Sequence, residues 1–162
     1  MLFLRRNMLR TLSFAFGSSF IVGRNQLGMA QMATPPKEKV TGIGGLFFRA
    51  HDPKALGSWY QQHLGISLTP SSYGGSVWEQ EAGPTVFAPF PETSGYFGDA
   101  TKVWMVNFRV RDLDKMAAQL RTAGIEIKVD PKSYPNGRFA RLHDPEGNPI
   151  ELWQPAGPNA PR

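Results

Sequence analysis

Residues 136–154 read NGRFARLHDPEGNPIELWQ, two alternating runs separated by a turn, and from this stretch the rest of the chain can be worked out. Phe139, Arg141 and His143 alternate with Ala140 and Leu142; beyond the turn, Ile150 and Leu152 alternate with Glu151 and Trp153. A period of two gives each strand two chemically different faces. Asp144-Pro145-Glu146-Gly147-Asn148 suits the turn: Pro145 presets φ, Gly147 supplies a positive φ, and the Asp and Asn side chains can bond their own backbone. The segment therefore predicts a β-hairpin. Glu151 is its odd residue, because a carboxylate between Ile150 and Leu152 points to the opposite face and there requires a cation, a metal or a hydrogen-bond donor. That face is the candidate site.

Upstream, two segments repeat one plan: Phe48-Arg49-Ala50-His51-Asp52-Pro53 and Phe108-Arg109-Val110-Arg111-Asp112-Leu113. Each follows a predicted strand, Val40–Arg49 or Lys102–Val110, and each ends at an aspartate placed to cap a helix. The first helix opens on Pro53, carries Leu56, Trp59, Tyr60 and Leu64 on one face and stops at Gly65. The second has Asp114 at its positive end, Met116, Ala117 and Leu120 as its buried stripe, and Gly124 as its stop. Further strands are expected at Ile66–Thr69, Ser76–Gln80 and Thr85–Ala88, and again at Ile125–Val129, Arg138–His143 and Ile150–Trp153. The fold class is α+β: two βαβββ modules, about 40–88 and 102–154, forming one curved eight-stranded sheet around a cleft. The linker Pro89–Thr101 carries Tyr96 and Phe97, aromatics placed to fold over that cleft, and the tail 155–162 reads as disordered.

Composition limits the partners. The chain of 162 residues has no cysteine, which excludes disulfides, thiolate metal sites and thiol nucleophiles. Its net charge of +5 is concentrated at one end: residues 1–30 hold Arg5, Arg6, Arg10 and Arg24 and no acid, leaving 14 of the 18 basic side chains against 13 acidic ones. A nearly neutral remainder lacks the basic stripe that nucleic acid requires. Arg5-Arg6-Asn7-Met8-Leu9-Arg10 resembles the twin-arginine export motif, and the apolar run Thr11–Gly23 is too short and polar to span a bilayer. Residues 1–30 are expected to be a cleaved export signal, with a mitochondrial presequence or an over-long start as alternatives, and 31–39 a flexible lead-in. The expected location is periplasmic or extracellular, with no stable membrane span once the signal is removed.

Over about residues 40–154 the pattern resembles the vicinal-oxygen-chelate superfamily, which includes glyoxalase I, extradiol dioxygenases and fosfomycin- and bleomycin-resistance proteins. The resemblance rests most on VNFRVRDLDKMAAQLRTAGIEI (106–127) and HDPEGNPIELW (143–153). It implies four metal ligands from the first and last strands of the modules. Two of these positions lie seven residues before the capping aspartates and fall on Gly45 and Met105; the other two fall on Phe87 and Glu151. Only Glu151 can donate, so no cofactor is expected and a divalent metal is disfavoured. His51, His63 and His143 are weak substitutes, two of them being explained by helix ends.

Strand alternation lines the expected cleft with Phe47, Arg49, Phe87, Asn107, Arg109, Phe139, Arg141, Glu151 and Trp153. Aromatic rings and surplus arginines favour a small ligand that is anionic, aromatic or both. The expected function is metal-free binding of such a molecule, as by resistance proteins, with Trp78, Trp104 or Trp153 and the arginines as its holders. The alternative is a glyoxalase-type lyase or isomerase resembling lactoylglutathione lyase, in which Glu151 is the catalytic base and arginines stabilise an enolate. An ion pair of Glu151 with Arg49 or Arg109 would be the purely structural explanation. A homodimer is left open.

Overall fold

A computed structural model of the chain describes residues 37–160. The expected export signal lies outside the described residues. The chain divides into two units at Gly44; in the first, residues 37–44 are exposed and form no helix or strand. The second unit, from Gly45 onward, carries all the regular structure among the described residues.

Helix α1, Pro53–Leu64, begins where Asp52 Oδ1 accepts from the amides of Lys54 and Ala55 at 3.1 and 3.0 Å, satisfying donors that a first turn leaves free. It ends at Gly65, whose φ of +71° is costly for a residue with a Cβ. Helix α2, Leu113–Thr122, repeats the device: Asp112 accepts from the Lys115 amide at 3.0 Å. Strands β1 (Val106–Arg109), β2 (Lys128–Val129), β3 (Gly137–His143) and β4 (Pro149–Pro155) form one sheet in the order β1-β4-β3-β2. The β3–β4 pair is the expected hairpin, and β1 runs parallel to β4 at its other edge.

The register sorts the side chains by face. Ala140, Leu142, Ile150 and Leu152 join Leu56, Tyr60, Leu113, Ala117, Leu120 and Ile127 in the buried core beneath the helices. Ile150 and Leu152 are fully enclosed, a burial that contributes roughly 1.5–3 kcal/mol for each side chain. Asn107 lies opposite Glu151, Arg109 and Phe139 both lie opposite Trp153, and Arg141 lies opposite Glu151, so these six residues share the other face.

The turn joining β3 and β4 also holds the first helix. Buried Asp144 accepts from the amides of Glu146 and Asn148, from Asn148 Nδ2 and from the Tyr60 hydroxyl, all within 2.8–2.9 Å. Glu146 in turn accepts from the backbone amides of His51 and Asp52 at 2.8 and 2.9 Å. An acid of the turn thus completes the entry to α1 from ninety-odd residues away in sequence.

The first half departs from expectation. No ladder forms over Val40–Arg49, Ile66–Thr69, Ser76–Gln80 or Thr85–Ala88, so the described residues contain four strands where eight were expected. Alternation specifies two faces but supplies no pairing partner, and Gly74, Gly75, Gly83 and Pro84 around these runs disfavour a ladder there. In the second half, Lys102–Val110 shortens to β1 and Ile125–Val129 to β2. At the end of the chain, Pro155 closes β4 and Gly157–Asn159 makes a single 3-10 turn, with the Ala156 amide donating to the Asn136 carbonyl at 3.1 Å.

Candidate functional site

Glu151 is buried on the polar face of the sheet at 5 % exposure. Its two oxygens are held by different donors. The Tyr96 hydroxyl donates to Oε1 at 2.9 Å and Asn107 Nδ2 donates to Oε2 at 2.7 Å. Arg141 approaches Oε1 less closely, with Nε and Nη2 both at 3.5 Å. Two short bonds from neutral donors therefore do most to satisfy the carboxylate, and the guanidinium balances its charge.

Arg141 also organises the linker. Its Nη1 donates to the Tyr96 carbonyl at 3.0 Å, and its guanidinium carbon stands 4.1 Å from the centre of the Tyr96 ring, a cation–π contact. Tyr96 belongs to a 3-10 turn, Gly95–Phe97, which Ser94 caps by accepting from the Tyr96 amide. Phe90 stacks on the ring at 4.8 Å with the planes 19° apart. Burial, reinforced by the hydrogen bond to Glu151 and its charge, pushes the Tyr96 phenol above its ordinary pKa, against an opposing pull from Arg141. A cavity of about 70 Å³ lies beside Tyr96 and Arg141, with Met105, His143 and Pro149 in its wall.

The other residues expected at the cleft separate into groups. Arg109 shares the polar face but spends its guanidinium on the Glu81 carbonyl at 2.6 Å, packed where Gly83 leaves room that a Cβ would fill. Glu151 is consequently paired with neither Arg49 nor Arg109: the hairpin register places Arg141 directly opposite it, while Arg109 stands level with Trp153. Trp153 is only 3 % exposed. Its indole donates to the Asn136 carbonyl at 2.8 Å and its ring lies parallel to Phe139 with centroids 6.2 Å apart, so it braces the hairpin. Phe47 and Phe87, at 94 % and 88 % exposure, and the exposed Arg49 are not gathered around Glu151. Trp78 meets the edge of Phe108, and Trp104 packs on Phe48.

Among the described residues, no three His, Asp or Glu side chains converge as metal ligands do. Met105 belongs to the cavity wall, and His143 is exposed on the same side. The Arg141–Glu151 pair was legible by counting outward from the turn, since Asp144 faces Asn148 and each step out pairs the next two residues. The linker's aromatic content signalled Tyr96, but nothing in the sequence fixed its contact with Glu151.

A β1-α2-β2-β3-β4 unit closed by an acidic turn and bearing a buried glutamate on its open face defines an α+β, βαβββ class of domain. The family model of the Glyoxalase/Bleomycin resistance protein/Dioxygenase superfamily matches residues 42–152, and the chain belongs to that superfamily. Among solved structures, TnmS3, an antibiotic-binding protein from Streptomyces sp. CB03234, superposes with a TM-score of 0.51 at 20 % identity, over 74 % of this chain and 100 % of its own. That likeness concerns the fold. The candidate glyoxylase CFP32 of Mycobacterium tuberculosis is 41 % identical over 54 residues, which is 33 % of this chain and 21 % of CFP32; its Mycobacterium bovis counterpart matches equally. The match thus spans about a fifth of the length of these curated relatives.

Proposed function

We propose that this domain binds a small aromatic or anionic molecule at the face formed by Glu151, Arg141 and Asn107, over which Tyr96 lies, without the metal common in its superfamily. The observation that carries the reading is the meeting of a buried carboxylate, a guanidinium and an aromatic ring beside a cavity. A planar guanidinium recognises anions and aromatic faces alike. The antibiotic binding named for TnmS3 is compatible with this use of the fold and is not needed for the argument.

The donors do not fit a resident metal. Both Glu151 oxygens already accept hydrogen bonds, the adjacent Arg141 repels a cation, and the other three ligand positions implied by the superfamily are Gly45, Phe87 and Met105. Burial of Glu151 is the observation that favours the second reading, proton abstraction of the glyoxalase type. Yet both Glu151 oxygens already accept from Tyr96 and Asn107, which leaves neither directed at a substrate proton, so binding is the better account.

The test is titration of the full-length protein with small phenols and aromatic acids, followed by tryptophan fluorescence. Glu151→Gln and Arg141→Ala should each weaken binding at least about tenfold, roughly 1.4 kcal/mol, while melting moves little. Unchanged binding together with about 3 kcal/mol of lost stability in Glu151→Gln would make the cluster a structural brace instead. Elemental analysis should find no stoichiometric transition metal; one metal per chain, lost in Glu151→Gln, would overturn that part. Export directed by residues 1–30 belongs to the same proposal. N-terminal sequencing of fractionated cells checks it, and an intact Met1 in cytoplasmic protein would count against it.

A further inference from the structure

The linker is hydrogen-bonded to the sheet through one residue. Among the described residues, every hydrogen bond from residues 89–99 to the sheet involves Tyr96, whose hydroxyl donates to Glu151 and whose carbonyl accepts from Arg141. Tyr96 is 37 % exposed, and the turn that presents it begins at Gly95 and ends at Gly98, the latter at φ +84°. A phenol free in solution could make the same two side-chain contacts: a hydroxyl donating to a carboxylate, and a π face against a guanidinium. Displacement of the Tyr96 ring would add its own space to the neighbouring cavity.

We infer that Tyr96 sits in the seat of a phenolic ligand: the site takes a small aromatic ring bearing a neutral hydroxyl, which donates to Glu151, lies against Arg141 and displaces Tyr96. This rests on the reading of the Glu151 face as the binding site and narrows its ligand class. A carboxylate or phenolate would bring a like charge to Glu151, and the raised pKa of Tyr96 has this direction too. An aryl ether offers the ring without the donor. Because the ligand must compete with Tyr96, its apparent dissociation constant is the intrinsic one divided by the fraction of molecules with Tyr96 displaced. Removal of the Tyr96 side chain should therefore tighten binding.

Calorimetric titration of the full-length protein with 4-methylphenol, 4-methylanisole and benzoate tests this. Tyr96→Ala should bind 4-methylphenol at least about tenfold more tightly than the wild type, 4-methylanisole should share none of that gain, and adding Glu151→Gln should abolish it. Tyr96→Phe, which keeps the ring and frees Glu151 Oε1, should show a smaller gain in the same direction, and it decides the matter if Tyr96→Ala does not fold. No gain for 4-methylphenol, or an equal gain for 4-methylanisole, would overturn the inference. Binding of benzoate alone, dependent on Glu151 and Arg141, would overturn it while leaving the binding site in place. If none of the three probes, and no other aromatic acid or phenol, binds in a manner sensitive to Glu151 or Arg141, the site reading fails as well.

Discussion

In the second half of the chain, the turn acid Asp144 accepts from two amides and a side-chain amide of its own turn and from Tyr60 of α1. The corresponding stretch of the first half, Glu81-Ala82-Gly83-Pro84, engages none of its own backbone in this way. Its Glu81 instead receives Arg109 on the carbonyl and Arg111 on the carboxylate, both from the second half. The consequence is visible on either side of each turn: β3 and β4 pair along seven positions, while Ser76–Gln80 and Thr85–Ala88 form no ladder. Equivalent patterning thus yields a sheet only where the turn satisfies itself and a third strand, β1, covers the outer edge.

The largest contrast should appear in the core-facing residues. Counting from the turn glycines, Ile150 corresponds to Val86. Ile150 is completely buried, and Ile150→Ala should cost about 4 kcal/mol by chemical denaturation, combining lost transfer energy with a cavity. A cost below about 1 kcal/mol would mean that the hairpin is not the stable half.

Next comes the turn itself. Asp144→Ala leaves the Glu146 and Asn148 amides and the Tyr60 hydroxyl without their acceptor, which should cost on the order of 3 kcal/mol. Glu81→Ala removes an ion pair whose side chains are both mostly exposed, a contact of the kind that contributes about 0–1 kcal/mol. Equal losses in the two variants would erase the distinction between the turns.

Tyr60→Phe sharpens the link between α1 and the turn. Loss of a hydrogen bond to a carboxylate should cost about 1.5 kcal/mol at neutral pH. Burial above all, with the neighbouring Asp144 charge, raises the Tyr60 pKa far beyond its ordinary value. The folded protein therefore favours the neutral phenol more than the unfolded chain does. That contribution is fully present below the unfolded pKa of about 10 and declines as pH rises above it. Wild-type melting should accordingly fall in the alkaline range and Tyr60→Phe should fall less steeply, the remaining slope belonging to Tyr96 and Tyr134, which also donate to carboxylates. Parallel slopes would show that Tyr60 is not the titrating brace.

What could be read in advance follows the range of the interactions. Asp52 and Gly65, Asp112 and the DPEGN turn act within a few residues, so α1, α2 and the β3–β4 hairpin were legible from sequence, as was the shared face of Asn107, Arg141 and Glu151. Strand pairing in the first half depends on distant partners, and alternation alone overestimated it. The partner of Glu151 was misjudged because Arg49 and Arg109 are equivalent in the repeat, whereas opposition across the hairpin selects Arg141. The Glu146 clamp on α1 and the Tyr96 contact span 94 and 55 residues, distances over which spacing carries no geometry.

The smallest expected effect is also the sharpest test of the comparison. Val86 is 71 % exposed and Phe87, at the position corresponding to Glu151, is more exposed still. If Thr85–Ala88 stands outside any ladder, Val86→Ala and Phe87→Ser should each change stability by no more than about 0.5 kcal/mol, because a surface side chain has little transfer energy to lose. The pair of substitutions probes both faces of the segment, since successive residues of an extended chain point to opposite sides. A loss near 2 kcal/mol in Val86→Ala alone would place that side chain in a core and the segment in a strand after all. Losses in both would bury both faces, and the dependence of melting on protein concentration then separates the causes. Burial within one chain is independent of concentration, whereas burial against a second copy raises the melting temperature as concentration increases.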